Sequence, residues 1–188
     1  EISVEFISYN GIHYPLQITD KVTTGAPHFV ELEHHQPSTL SEEMFATIYD
    51  ITKNALDALG LTNGASHAEY KITENGRIAI MEIGGRMGGD FIGSDLVRLS
   101  TGYDFVKGVI DVALSQFETP VKTLNMCSGV YFLCKETEHL KETIENWKSN
   151  PCFVDGEITD NELREVTCSA DRSGYLLYTS QVKISVIR

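Results

Sequence analysis

Apolar and polar residues alternate along positions 1–9, where Ile2, Val4 and Phe6 share one side, and again along 12–20, with Asn10-Gly11 between the two runs. A period of two marks a strand, and Asn-Gly supplies the positive φ angles of a tight turn, so this stretch predicts a hairpin. Residues Thr23-Thr24-Gly25-Ala26-Pro27 read as a loop and 28–33 as a third strand. The period then changes. Met44, Ile48, Ile51, Ala55 and Leu59 recur at helical spacing behind Ser41, a residue that starts helices, and Gly60 ends the run. A second hairpin follows, with Tyr70 and Ile72 alternating before Glu74-Asn75-Gly76 and Ile78 and Ile80 after it. Helices are predicted over about 92–100 and 103–116, divided at Thr101-Gly102 and stopped by Pro120. Beyond 125 come a strand (Val130, Phe132, Cys134), an amphipathic helix over 138–148, and short strands over 152–158, 163–168, 174–180 and 182–187. The order predicts an α+β chain with a boundary near 118–124, residues 1–120 forming one part and 121–188 a smaller α+β lobe.

Composition narrows this picture without changing it. The chain of 188 residues is long enough for a real core, and its 41% hydrophobic and 22% charged residues are those of a globular protein. A net charge of -12 argues against nucleic acid as a partner, since that needs a basic face; it leaves room for a nucleotide, whose charge a metal ion and one Arg can offset. No apolar run approaches the roughly 20 residues of a membrane span, and neither a signal peptide nor membrane association is expected. Cys127, Cys134, Cys152 and Cys168 contain no CxxC pair; buried reduced thiols in a cytoplasmic protein are the expectation. The chain opens at Glu1 inside an apparent strand, without an initiator Met, which reads as part of a longer protein. An exposed strand edge at 1–9 would offer a second copy a place to pair, a route to a homodimer.

The chemistry concentrates in residues 65–95. Glu69 and Glu82 stand on the two strands of the second hairpin, and pairing those strands places both carboxylates at one end of the ladder, able to share a divalent ion. Arg86 follows four residues later inside Gly84-Gly85-Arg86-Met87-Gly88-Gly89. That run is neither a dinucleotide fingerprint, because Arg86 occupies the second required glycine, nor a Walker sequence. Taken alone, its glycines make a tight strand-to-helix connection. Together the residues form a phosphate-handling set: oxygen ligands for a metal, a guanidinium for phosphoryl oxygens and closely approachable backbone N–H groups. His67, two residues before Glu69, shares its face and reads equally as a group behind the ligand or as packing. His34, His35 and His139 read as surface residues, and Tyr103, Phe105, Ile110 and Trp147 as packing.

The segments HisAlaGlu at 67–69 and MetGluIleGlyGlyArgMetGlyGlyAsp at 81–90 resemble the metal-binding half of the ATP-grasp superfamily. The similarity is to its carboxylate–amine ligases of the L-amino-acid ligase type, which are related to carbamoyl-phosphate synthase and biotin carboxylase. Residues 1–6 and 21–31 resemble the neighbouring segments of that family, which covers about 1–117, and 125–188 resembles the small C-terminal domain of these ligases. The resemblance implies an antiparallel sheet with flanking helices. It implies that Glu69 and Glu82 ligate Mg²⁺, or Mn²⁺, bridging the phosphates of ATP. In many relatives an Asn two residues after the second Glu adds a ligand; here that position is Gly84. Arg86 is implied to stabilise the transferred phosphoryl group, with Gly88 and Gly89 offering backbone N–H groups. Glu5 and His28 match positions on the substrate side, His28 as a base or orienting group, and Asp90 matches a substrate contact suited to an ammonium group. The implied reaction activates a carboxylate as an acyl phosphate that an amine then attacks; the partners are small carboxylates and amines, and the N-terminal half of the grasp is missing from these residues. Two other readings stand beside it: an enzyme forming carbamoyl or carboxy phosphate, and a non-catalytic metal- or ligand-binding fragment.

Overall fold

The computed structural model describes residues 1–186 and divides into two compact units. The first contains residues 1–20 and 36–125, the second residues 21–35 and the chain from Met126 onward.

In the first unit, β1 (Ile2–Tyr9) lies between β2 (Ile12–Thr23) and β4 (Gly64–Ile72), antiparallel to both, and β4 pairs with β5 (Ile78–Gly84). The β1–β2 turn has Asn10 at φ 50° and Gly11 at φ 77°, as a two-residue hairpin requires. The alternation of β1 sorts its side chains onto two faces. Ile2, Val4 and Phe6 pack with Ile18, Ala68 and Tyr70 against Ile48 and Leu56 of α1 (Glu42–Ala58). Ile7 packs on the other face with Leu16, Val97 and Phe105, the last two from α2 (Val97–Thr101) and α3 (Phe105–Ala113). Ser3 and Glu5 share the face of Ile7 and are fully buried, and on this face the candidate site residues collect.

The second unit holds β3 (Glu31–Gln36, its last residue in the first unit), β6 (Cys127–Leu133), β7 (Phe153–Ile158) and β8 (Gly174–Ser180). Strand β8 pairs antiparallel with both β6 and β7. Tyr131, Leu133, Leu176 and Tyr178 pack on Leu140 and on Ile144 of α4 (Lys141–Glu145). Val30 and Leu32 join Cys134 and Val166, and this burial draws residues 21–35 into the second unit. The division is therefore discontinuous, where the sequence suggested a single cut near 118–124.

Other expectations are corrected as well. The third strand begins at Glu31 because 26–28 form a turn and Phe29 takes φ 50°. It extends through His34, His35 and Gln36, each about 1% exposed, so these histidines are interior residues. The His35 ring lies between the Tyr178 hydroxyl (2.9 Å) and Glu33 (2.8 Å). Instead of a continuous helix over 92–100, a π-turn (Ile92–Leu96) follows Phe91 at φ 66° and leads into α2. The next helix stops at Ala113, short of Pro120, with Ser115 at φ 56°. Residues 138–148 form short 3₁₀ turns around α4, which ends at Asn146, whose backbone N–H and side-chain amide both donate to the Glu142 carbonyl. Neither 163–168 nor 182–186 is a strand, and residue 187 lies outside the described residues. Strand β1 is paired on both sides, so the edge of the first unit is β5, and the proposed pairing of copies through 1–9 has no edge to use. Ile110 is 52% exposed, whereas Phe105 is buried as expected. All four cysteines are free thiols, but only Cys134 is fully buried and Cys168 is exposed. Among the described residues no helix is long and apolar enough to cross a membrane.

Candidate active site

Cross-strand register assembles the site in two neighbouring rows on one face of the first unit. In one row Ser3 stands opposite Glu69 and Glu69 opposite Glu82; in the other Glu5 stands opposite His67 and His67 opposite Gly84. Directly opposed residues project to the same side, so Glu69 and Glu82 stand on one face of the hairpin. Opposed like charges are destabilising on their own, and here each is met by a different cation. Nε2 of His67 is 3.0 Å from Glu69 Oε1, and Nη2 of Arg86 donates to Glu82 Oε1 at 3.2 Å. The Glu82–Arg86 pair is more than half exposed on both sides, so it adds little stability and its partners are exchangeable.

Beneath the two carboxylates the site is closed to solvent, with His67 and Glu5 buried. Glu5 is fully buried, with Oε1 2.5 Å from His67 Nδ1 and Oε2 accepting the Gly88 N–H at 3.1 Å. Both ring nitrogens of His67 thus face carboxylate oxygens and donate to them. Burial opposes the charge on this ring, but the hydrogen bonds and charges of Glu5 and Glu69 outweigh it and raise the pKa to about 9. Gly88 is required here for close approach, because a Cβ would lie 2.8 Å from His67 Nδ1 and 3.0 Å from Glu5 Oε1.

The candidate residues therefore divide. Glu82 and Arg86 pair on the exposed side, with Glu69 opposite Glu82 in the register. Glu5 is no wall of an open cleft: it is enclosed, and it holds His67 and the loop. The Gly88 N–H is given to Glu5 instead of being presented to a ligand, whereas Gly89 has open space around its α-carbon. Asp90 follows with φ 50° at the end of the loop. His28 belongs to the second unit, exposed beside a cavity of about 450 Å³ that Thr23, Glu136, Glu165 and Thr167 also line. The double engagement of His67 and the burial of Glu5 were missed from the sequence; the available signal was a Glu at an otherwise buried position of an alternating strand.

The donor set suits a hard divalent cation. Two carboxylates in register offer oxygen ligands, and magnesium takes about six, keeping water and substrate phosphate oxygens in its remaining positions. Among the described residues no group of three or more His, Cys, Asp or Glu is placed to hold a metal unaided.

Glu69 on β4 opposite Glu82 on the edge strand β5, followed by an arginine in a glycine-rich loop on an antiparallel sheet packed between helices, is an arrangement suited to a nucleotide's metal and phosphates. Residues 1–95 match the ATP-grasp domain family, and the chain belongs to it. Alanine–anticapsin ligase of Bacillus subtilis is 35% identical over 153 residues, covering 81% of this chain and 27% of that protein. The chain thus spans about a quarter of the length of this curated relative. The fold is similar to that of an L-amino acid ligase from Bacillus licheniformis, with a TM-score of 0.79 and 22% identity over 96% of this chain and 46% of that one. It is also similar to the biotin carboxylase domain of Hydrogenobacter thermophilus 2-oxoglutarate carboxylase, solved with MgADP and bicarbonate, at a TM-score of 0.66 and 16% identity over 96% of this chain and 41% of that one.

Proposed function

We propose that this chain is the metal- and phosphate-binding part of an ATP-dependent ligase that joins the carboxylate of one small molecule, an amino acid, to the amine of another. The observation that carries the reading is Glu69 directly opposite Glu82, with Arg86 reaching the second carboxylate from the glycine-rich loop. The likeness to alanine–anticapsin ligase supports the ligase class, and the relative solved with MgADP supports a magnesium nucleotide.

A bound ATP with its divalent ion, Mg²⁺ or Mn²⁺, would supply the phosphoryl group that converts a carboxylate into an acyl phosphate open to amine attack. The residues do the rest electrostatically. Glu69 and Glu82 hold the cation. Arg86, its pairing with Glu82 exposed and exchangeable, swings to phosphoryl oxygens and offsets the charge that moves between them. The backbone at Gly89 is open enough for a close approach of the same charge. Asp90, at the end of the loop, favours an ammonium group on the substrate. The reading gives residues 1–120 to the ATP-grasp domain, of which residues 21–35 pack in the second compact unit, and the remainder to the small C-terminal domain of the ligase type, with the other wall of the nucleotide cleft supplied by the rest of the full-length protein.

The test is phosphate release from ATP by the full-length protein, over a panel of amino-acid pairs, with products identified by mass spectrometry. Release that requires both a carboxylate and an amine, with a condensed product, is the expected result. Release that requires bicarbonate would replace this reading with a carboxy-phosphate-forming enzyme, and no release with any pair would leave a binding fragment.

A further inference from the structure

One hydrogen-bonded line runs under the site: Glu69 to His67, His67 to Glu5, and Glu5 to the amide of Gly88. Its ends are the two parts that must act together, a carboxylate beside the metal position and the loop that carries Arg86 and Asp90. Its middle is interior, with His67 3% exposed and Glu5 fully buried. We infer that His67 is a positioning residue that couples the orientation of the Glu69 carboxylate to the seating of the glycine-rich loop, an inference that rests on Glu69 and Glu82 being the metal carboxylates.

Three features make the line a coupling rather than two independent contacts. First, the ring is rigid, so its two nitrogens cannot adjust separately: a shift of Nε2 with Glu69 carries Nδ1 with it and moves the Glu5 contact. Second, Glu5 uses its two oxygens for different partners, Oε1 for His67 and Oε2 for the Gly88 N–H, so a rotation of that carboxylate disturbs the loop. Third, the loop has no slack at this point. A Cβ at Gly88 would meet His67 Nδ1 at 2.8 Å, Glu5 Oε1 at 3.0 Å and Ile92 Cγ2 at 3.1 Å, so the backbone lies in direct contact with the Glu5–His67 pair. The strand register holds the same atoms from the other side, since His67 stands opposite Gly84, where the loop departs from β5. Groups behind a metal ligand typically govern metal affinity by about 10–100-fold.

Two substitutions separate the arms. In His67→Gln the amide nitrogen takes the place of Nε2, keeping the hold on Glu69 and releasing Glu5; in His67→Asn it takes the place of Nδ1, keeping Glu5 and releasing Glu69. The probe is Mn²⁺ alone, titrated by electron paramagnetic resonance into the nucleotide-free full-length protein, with hydrogen exchange over residues 84–90 read in parallel. His67→Asn should lose about tenfold or more in Mn²⁺ affinity while Gly88 stays protected, His67→Gln should keep its affinity within about threefold while that amide exchanges faster, and Mn²⁺ should slow exchange of the Gly88 amide in the wild type but in neither variant. Both variants losing affinity and protection together, in step with thermal stability, would reduce His67 to packing and overturn the inference. So would unchanged Mn²⁺ affinity in His67→Asn. Glu82→Gln is the control that distinguishes the two levels: if it leaves Mn²⁺ affinity untouched, the ligand assignment falls and the coupling with it, whereas weakening there beside an unaffected His67→Asn overturns the coupling alone. Should His67→Asn not fold, the wild-type protein decides, since coupling requires Mn²⁺ to slow exchange of the Gly88 amide and no change contradicts it.

Discussion

At residue scale the site depends on a histidine enclosed by two carboxylates and on a glycine with no room for a side chain. The His67 pKa lies above its unfolded value, at about 9. A raised pKa contributes stability that is complete below the unfolded value near 6.5 and is lost as pH climbs through the folded one. Urea melts of the metal-free chain should therefore show stability falling between pH ~6.5 and about 9, no more steeply than one proton's worth, about 1.4 kcal/mol per pH unit. His67→Asn should flatten that slope. Gly88→Ala should cost about 1–3 kcal/mol in the same melts, because its Cβ would press on His67, Glu5 and Ile92. Gly89→Ala, with nothing within 4 Å, should stay within about 0.5 kcal/mol. Glu69, Glu82 and Arg86 were legible as a set because their spacing on a hairpin and loop is local. The enclosure of Glu5 was not, since it depends on β1 lying between two strands, one of them more than fifty residues away in sequence.

At the scale of elements, the parts that followed local rules were readable and those that followed tertiary burial were not. Both hairpins of the first unit formed where alternation and Asn-Gly placed them, although their turns differ. Asn10 and Gly11 both take positive φ, while in the second turn only Gly76 does, within a longer loop closed between Thr73 and Arg77. Helix α1 begins where Ser41 accepts the Met44 N–H at 3.2 Å. Ser41→Ala should lower the stability of the chain by about 1 kcal/mol, measured by thermal or chemical denaturation, without altering metal binding. Strand β3 was placed three residues early because His34, His35 and Gln36 look like surface residues, and nothing local announces that Tyr178 and Glu33 enclose the His35 ring. The helix expected at 138–148 is broken into the single turn α4 between two 3₁₀ turns, a subdivision that apolar periodicity does not register.

For the whole molecule, hydrophobic pattern alone could assign the chain to α+β but could not show that residues 21–35 belong with the C-terminal lobe, because that depends on Val30 and Leu32 packing with Cys134 and Val166. The family was legible through the run from His67 to Asp90, whose residues are in register only in the folded hairpin. In the proposed function Glu69, Glu82 and Arg86 handle metal and phosphate within a longer ligase. The most direct test is steady-state phosphate release from ATP by the full-length protein and its Glu82→Gln and Arg86→Ala variants, with folding checked by circular dichroism. Each folded variant should turn over at least about a hundredfold more slowly than wild type. Near-normal turnover in either would contradict the assignment of that residue to metal or phosphate.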